Sequence, residues 1–297
     1  MARKVLLVDA YATIYRAFFA IRSLTDAQGK PANAIFGFTK MVRKLLADHV
    51  PSHCAVAFDL GAPHHRLAVL PSYKEQRPPT PPDLEAQLPA IRDVLSAMRL
   101  AVVEIDGEEA DDIIATLALR ASAAGADVLI ASQDKDFMQI VGPHIRLLRP
   151  NGQETAIVDA AGVHARYGVE PHQILDLLCL IGDSVDNIPG VPGVGEKTAA
   201  ELLRRHTTLD NLLVHAAEIE RPKLRDAILA STDRLRSNRQ LIALRSNLAL
   251  PVTLDDLQVQ PADYNKLTEL FTRFGFKSIV ADLQKEANRT GDLFACQ

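Results

Sequence analysis

The sequence lacks any apolar run long enough to cross a bilayer, and it lacks paired cysteines. Its three cysteines, Cys54, Cys179 and Cys296, are isolated and show no metal-ligand spacing. That excludes a disulfide framework and fits a reducing compartment. The N-terminus starts basic, but Asp9 ends its apolar stretch early, so it reads as neither a secretory signal nor a membrane span. Charge of one sign is not in excess either, at a formal net of −4. Composition alone therefore does not point to a polyanion as partner, although the field depends on where charges sit. No internal repeat or low-complexity tail is evident. What remains is an ordinary globular composition, 47% apolar and 24% charged over 297 residues. That length holds one large domain or two modest ones. A cytoplasmic enzyme is the default expectation.

Short β-branched runs read as buried strands at 4–9, 54–59, 101–106 and 127–132, with a weaker run at 145–150. Helical patterns fall between them, at Ile35–Asp48, Leu84–Met98 and Ala110–Ala124. This alternation implies an α/β domain, a mostly parallel sheet with helices on both faces. Gly61 to Pro82 breaks the rhythm with HHR and SYKEQRPPTPP, and reads as an exposed, irregular, basic excursion. After about residue 165 the strand signal fades and helices take over, at 172–182, 196–206 and beyond. A boundary near 165 separates residues 1–165 from a helical domain at 166–290.

The acids are the informative feature. Asp9 and Asp59 end two strands, Asp134 and Asp136 follow a third, and Glu108, Glu109, Asp111 and Asp112 follow a fourth. In an open parallel sheet the crevice beyond the strands' carboxyl ends is the usual site. A single strand-end Asp is most often a helix N-cap. Four strands delivering acids to one edge exceed that explanation. Crowded carboxylates must be protonated or neutralised. Lys135 and Arg16 are the only basic sequence neighbours, too few for the task, so hard divalent cations held by oxygen are expected. Asp183 and Asp186 add two more acids, sharing a face if the preceding helix runs on through them. Within GEEADDIIATL, Glu109 fits at or before the N-cap, with Asp111 and Asp112 in the first turn. Glu108 is left outward-facing and solvated, outside the site.

GVPGVGEKTA (190–199) is not a Walker loop, because Glu196 separates Gly195 from Lys197–Thr198 and no strand precedes it. It suits a tight hairpin between two helices. Backbone N–H groups around Gly190, Gly193 and Gly195, with the following helix N-terminus, suit a nucleic-acid phosphate. Lys197, Arg204 and Arg205 supply positive charge. A plain Gly/Pro turn joining packed helices is the competing explanation.

Taken together, LLVD with YRAF, AVAFD, SYKEQRPPTPP, EADD, DKD, GDSVDNIPGVPGVGEKTA and FGFKSIVADL resemble the 5′–3′ exonuclease domain of bacterial DNA polymerase I, within the flap endonuclease family. The resemblance covers roughly residues 3–285, and the long GDSVDNIPGVPGVGEKTA string carries most of its specificity. It implies a PIN/resolvase-like α/β fold followed by a helix–hairpin–helix domain. It implies hydrolysis of DNA phosphodiesters at a 5′ end or flap, with RNA-primer removal, using two Mg²⁺ or Mn²⁺ ions. It places metal carboxylates at Asp9, Asp59, Glu109, Asp111, Asp112, Asp134, Asp136, Asp183 and Asp186. Of these, Asp59, Glu109, Asp111 and Asp134 serve mainly the first site, and Asp136, Asp183 and Asp186 the second. Asp9 and Asp112 support through water. It also implies a basic arch over about 61–99, with Lys74, Arg77 and Arg16 at the scissile region and Tyr73 stacking on a base. Lys197, Thr198, Arg204, Arg205 and the hairpin glycines hold duplex DNA, with a K⁺ ion at the hairpin. The implied partners are flap, nicked or primer-bearing duplex and a polymerase in cis or in trans. The implied setting is a bacterial cytoplasm, at the nucleoid, for a monomer away from any membrane. Ala10 and Leu60 depart from the family's glycine and alanine beside the first two acids. The chain stops where a polymerase I would continue, which suits either a stand-alone enzyme or an excised domain.

Rival readings are weaker. An Asp-nucleophile phosphatase wants a second acid two residues after Asp9, where Tyr11 stands. A related-fold ribonuclease would lack the hairpin domain. A purely structural DNA-binding factor would leave the acids inert.

Overall fold

The computed structural model describes residues 3–151 and 154–295, so Cys296 lies outside the described residues. The chain begins with β1 (Lys4–Asp9), α1 (Ala10–Ala20), α2 (Asn33–His49) and β2 (His53–Ala57). Then come α3 (His64–Val69), α4 (Pro82–Glu85), α5 (Leu88–Ala97), β3 (Ala101–Val103), α6 (Ala110–Ala123), β4 (Asp127–Ala131), β5 (Ile145–Asn151) and β6 (Glu154–Val158). The remainder is mostly helical: α7 (Ala160–Tyr167), α8 (Ile174–Ile181), the short pair β7 (Gly182–Asp183) and β8 (Ile188–Pro189), then α9 (Glu196–His206) and α10 (Leu209–Val214). It closes with α11 (Pro222–Ala230), α12 (Thr232–Ile242), α13 (Tyr264–Arg273) and α14 (Lys277–Ala295).

The chain divides into two compact units that are not sequential. One comprises the N-terminal residues to Phe58, Pro79–Val103 and the residues from Pro251 onward; the other comprises Asp59–Pro78 and Glu104–Leu250. In the first, β1 pairs in parallel with β2, and β2 in parallel with β3. Val5 to Val8 are all buried, as expected of a strand covered on both faces. Asp9 is the N-cap of α1 and accepts from the Ala12 N–H at 3.1 Å. The buried Gln87 performs a similar service at longer range, its Oε1 accepting from the Ala34 and Ile35 N–H groups at the start of α2. The helix expected across Leu84–Met98 is broken around that residue, with α5 restarting on a proline in its first turn.

In the second unit β4 pairs in parallel with β5, and β6 returns antiparallel to β5. Strand β6 is missing from the sequence expectation because ETAIV is short and carries little strand signal of its own. The α6 face of Ile113, Ile114, Leu117, Ala118 and Ala121 is fully buried, as its period requires. α8 does not run on through Asp183 and Asp186. It ends at Ile181 because Gly182 takes φ 74°, and the two acids lie in and beyond β7. Gly182 and Gly190 face each other so closely that an added Cβ on Gly190 would sit 2.3 Å from the Ile181 carbonyl. Only glycine allows that approach.

Gly190→Ala is therefore expected to destabilise the fold by about 2–3 kcal/mol, as overpacking against fixed backbone does. Gly195→Ala, where an added Cβ meets open space, is expected to cost less than about 1 kcal/mol. Denaturant unfolding of the two variants side by side checks this; equal losses would contradict it.

Candidate metal centre

Most of the expected carboxylates belong to the second unit, and local hydrogen bonds set each of them. Asp59, just past β2, accepts the Ala110 N–H at 2.8 Å and so ties the strand exit to the start of α6. The intervening turns lock together through the Gly107 N–H donating to the Leu60 carbonyl at 2.8 Å. Glu109 is the N-cap of α6 with extended φ and ψ, and Asp111 and Asp112 fill the first turn, as the register requires. Beyond β4, Asp134 accepts the Asp136 N–H at 2.8 Å, while Ser132 Oγ accepts the Asp134 N–H at 3.1 Å. Asp183 accepts the Val185 N–H at 2.8 Å. Asp9 and Arg16 belong to the other unit, on β1 and α1.

The acids of the second unit act on one another. Burial raises the Asp59 pKa, opposed by the Ala110 N–H and Lys74 and reinforced by Glu109. Burial also raises Asp134, with Asp186 adding to it. Asp136 is pushed well above the ordinary carboxylate range, first by burial and then by the charges of Asp134, Asp183 and Asp186. The Tyr73 hydroxyl is held protonated by burial and by Glu109, Asp186 and Asp111. Asp59, Glu109, Asp111, Asp134, Asp136, Asp183 and Asp186 thus share one field. Asp136 Oδ1 is buried with no hydrogen-bond partner. A buried acceptor left unsatisfied among other acids fits a hard cation, whose ligands are carboxylate oxygens.

Five cations already answer part of this charge, which corrects the expectation that basic groups are too few. Arg66 is only 3% exposed. It donates to both Asp112 oxygens at 2.6 and 3.0 Å, to the Leu241 carbonyl at 2.8 Å, and to Glu109. Lys74 donates to Glu109 and Arg77 to Asp186 at 2.5 Å. Lys135 pairs with Asp183 at 2.8 Å. Arg245 pairs with Glu108 at 2.5 Å, and its backbone N–H donates to Asp112 at 2.8 Å. Except for Lys135, these cations lie at least seven residues from the acids in sequence, so a search of sequence neighbours cannot find them. The eight expected site acids of this unit, together with Glu108, make nine. Set against five cations, they leave a formal excess of four negative charges when all are ionised.

Three further expectations change. Glu108 is not a solvated acid, because Arg245 covers it. The basic excursion is not irregular and exposed throughout: it contains α3, and Arg66 and Tyr73 are buried. Tyr73 is 6% exposed, with its hydroxyl 3.2 Å from Asp186 Oδ2 and its ring beside Arg66 and Lys74. It is packed against the acids and offers no free face for a base. Asp112 is wholly buried, with both oxygens engaged. Among the described residues, His65, Glu108 and Asp112 bring potential ligand atoms within 4.8 Å of one another. Arg66 and Arg245 occupy those same carboxylates, so this group serves as an internal ion-pair cluster.

At the hairpin, Gly193, Gly195, Lys197, Arg204 and Arg205 are exposed, Gly190 and Thr198 half-buried. Gly190 packs against the Ile181 backbone, which gives it a structural task. Asn238, almost fully buried on α12, donates to the Cys179 and Pro189 carbonyls at 3.0 and 2.9 Å and fixes the hairpin's base.

Two family models match the chain. One is the 5′–3′ exonuclease N-terminal resolvase-like domain over residues 4–168, the other the 5′–3′ exonuclease C-terminal SAM fold over 169–265. A DNA polymerase I of Bacillus caldotenax is 38% identical over 290 residues, which is 97% of this chain and 33% of that protein. The chain spans about a third of the length of such polymerase relatives. A 5′–3′ exonuclease of Aquifex aeolicus is 34% identical over 94% of each chain. Among solved structures, the T5 D15 protein co-crystallised with metal ions aligns with TM-score 0.69 at 18% identity, over 96% of this chain and 98% of that one. The catalytic core of Rad2 in complex with DNA substrate aligns at 0.63 and 19% identity, over 95% and 93%. At such identity these likenesses establish the fold. Among the described residues no helix is long and apolar enough to cross a membrane.

Removing one partner of a buried pair leaves an uncompensated charge, so Arg66→Met is expected to cost at least about 3 kcal/mol. Denaturant unfolding measures it, and a loss below about 1 kcal/mol would contradict the assignment. Asp136 gives the opposite sign. Its raised native pKa means that its contribution to stability is full below about pH 4, the unfolded value, and is lost as pH climbs through the native one. Asp136→Asn is therefore expected to raise Tm in EDTA at pH 8, with the gain vanishing toward pH 4. A lowered Tm at pH 8 would refute this.

Proposed function

Because the chain belongs to the 5′–3′ exonuclease family, we propose that it hydrolyses DNA phosphodiesters at 5′ ends and 5′-flap junctions, removing RNA primers by the same chemistry. The observation that carries this reading is the buried, unpartnered Asp136 oxygen in the field of Asp134, Asp183 and Asp186. Asp59, Glu109, Asp111 and Asp134 would hold one divalent ion, and Asp136, Asp183 and Asp186 a second. Asp9 and Asp112 would support through water, although Asp112 is already committed to Arg66. Mg²⁺ or Mn²⁺ bound there would supply an activated water at neutral pH and neutralise charge on the phosphate.

The chain's own side chains do the rest. Lys74 and Arg77 would exchange carboxylate partners for the scissile phosphate and stabilise its developing charge; Arg16 is assigned alongside them. The exposed hairpin amides near Gly193 and Gly195, with Thr198 and the charges of Lys197, Arg204 and Arg205, would grip the duplex backbone without reading bases. A K⁺ ion at the hairpin, a polymerase in cis or in trans, monomeric action, and work at the bacterial nucleoid belong to the same proposal.

Cleavage of a 5′-end-labelled flap duplex tests it. Asp134→Asn is expected to lower the rate by at least about 10²-fold, with DNA affinity in EDTA unchanged. Retained flap cleavage by that variant, or wild-type cleavage in EDTA, would overturn the reading. Lys197→Ala or Arg204→Ala is expected to weaken binding and to lower the slope of log affinity against log salt by about one. An unaltered slope would remove the hairpin from the DNA interface.

A further inference from the structure

We propose that Gln76 and Asn187 are positioning residues. Their side-chain amides fasten segment 72–77 to the turn 183–187, and so fix where Lys74 and Arg77 stand over the carboxylates. The Gln76 amide donates to the Ser184 carbonyl at 2.8 Å and the Val185 carbonyl at 3.3 Å. In the other direction, the Asn187 amide donates to the Ser72 carbonyl at 2.9 Å. Between them the Lys74 N–H donates to the Asp186 carbonyl at 3.2 Å. Two irregular segments more than a hundred residues apart are thus zipped by hydrogen bonds outside any regular sheet. Neither amide touches a carboxylate. Their partners are main-chain carbonyls alone, so their contribution is geometric.

Backbone strain marks the same place. Lys74 and Asn187 both adopt positive φ, 57° and 60°. Asparagine tolerates that region, whereas lysine rarely enters it and stays only where its surroundings impose it. The zipper is what imposes it here. Its consequence is that three functional groups of this segment converge on one acid: the Tyr73 hydroxyl at 3.2 Å from Asp186, Lys74 Nζ at 3.9 Å and Arg77 at 2.5 Å.

The turn also continues directly into the hairpin. From Asn187 the chain passes through β8 to Gly190, and Asn238 pins that stretch at the Pro189 carbonyl. A load on the hairpin therefore reaches Lys74 and Arg77 through a few residues of fixed backbone. The latch couples the grip on duplex to the placement of the two cations at the scissile phosphate. This rests on the proposed reading that Lys74 and Arg77 act on that phosphate.

Gln76→Ala and Asn187→Gly test it, the glycine keeping the left-handed backbone accessible while deleting the amide. On a 5′-flap duplex each is expected to lower kcat about threefold and the pair about tenfold, the size of ordinary hydrogen bonds. KM, and DNA Kd in EDTA, are expected to stay within about twofold of wild type. In a Lys74→Gln background the latch substitutions are expected to cost less than in the wild type, since part of their effect acts through that side chain and the rest through Arg77. Amide hydrogen exchange at Lys74 is expected to rise about tenfold in the double variant. Unchanged kcat, a fully additive loss on Lys74→Gln, or a loss confined to DNA Kd would each overturn the latch. If Lys74→Gln cleaves at the wild-type rate, the assignment of Lys74 to the phosphate fails. Exchange at the Lys74 amide then decides the latch alone: faster exchange supports it, and unchanged exchange overturns it.

Discussion

The Arg66 guanidinium is the contact on which the rest of the site depends. It is buried, it grips both oxygens of Asp112 and reaches Glu109, and its Nε donates to the Leu241 carbonyl. One side chain thereby joins α3, the acidic start of α6 and the last turn of α12. Arg245 completes the arrangement, giving Glu108 a partner and Asp112 a third hydrogen bond. A planar fork with five donors suits this task, and a lysine could not replace it. Because both ions are out of water, the pair adds little net stability relative to an apolar core, but losing either member is costly. Its evident product is geometry. Glu109 and Asp111 are carried on a helix whose first turn is held at both ends.

With that anchor in place, Asp136 Oδ1 is still left buried without a hydrogen-bond partner. Asp59, Asp134 and Asp136 have pKa values raised chiefly by burial, so the fold is less stable at neutral pH than an amide-bearing relative would be. Proteins retain such frustration where function needs it. Lys74, Arg77 and Lys135 relieve it only in part, through ion pairs to Glu109, Asp186 and Asp183. In the proposed reaction, internal cations, divalent ions and a phosphate would compete for one set of oxygens.

Much of this is legible in the sequence, for identifiable reasons. Strand β1 and helix α6 are read correctly because burial imposes clean periodicity on VLLV and on the Ile113–Ala121 face. The acidic stretches are found because strand ends in an open sheet point at one edge. Glu109 is placed at or before the N-cap because helix geometry lets it share a site with Asp111 only there, and it is the N-cap. What escapes is long-range pairing. HHR looks like part of a basic loop until Arg66 meets Asp112, forty-six residues on. Glu108 looks solvated until Arg245 arrives from residues that carry no local signal. Tyr73 looks like a surface aromatic, yet its hydroxyl lies against Glu109 and Asp186. Local pattern reports which way a residue faces relative to its own helix or strand, and says nothing of which distant cation will meet it.

The central claim is that this carboxylate field is built to take divalent cations, and titration calorimetry of the intact chain with Mn²⁺ at neutral pH tests it most directly. The account predicts saturable binding of about two ions per chain, with binding lost in stages when Asp134 and then Asp136 are replaced by asparagine. Absence of saturable binding in the wild-type protein, or binding indifferent to both replacements, would contradict it.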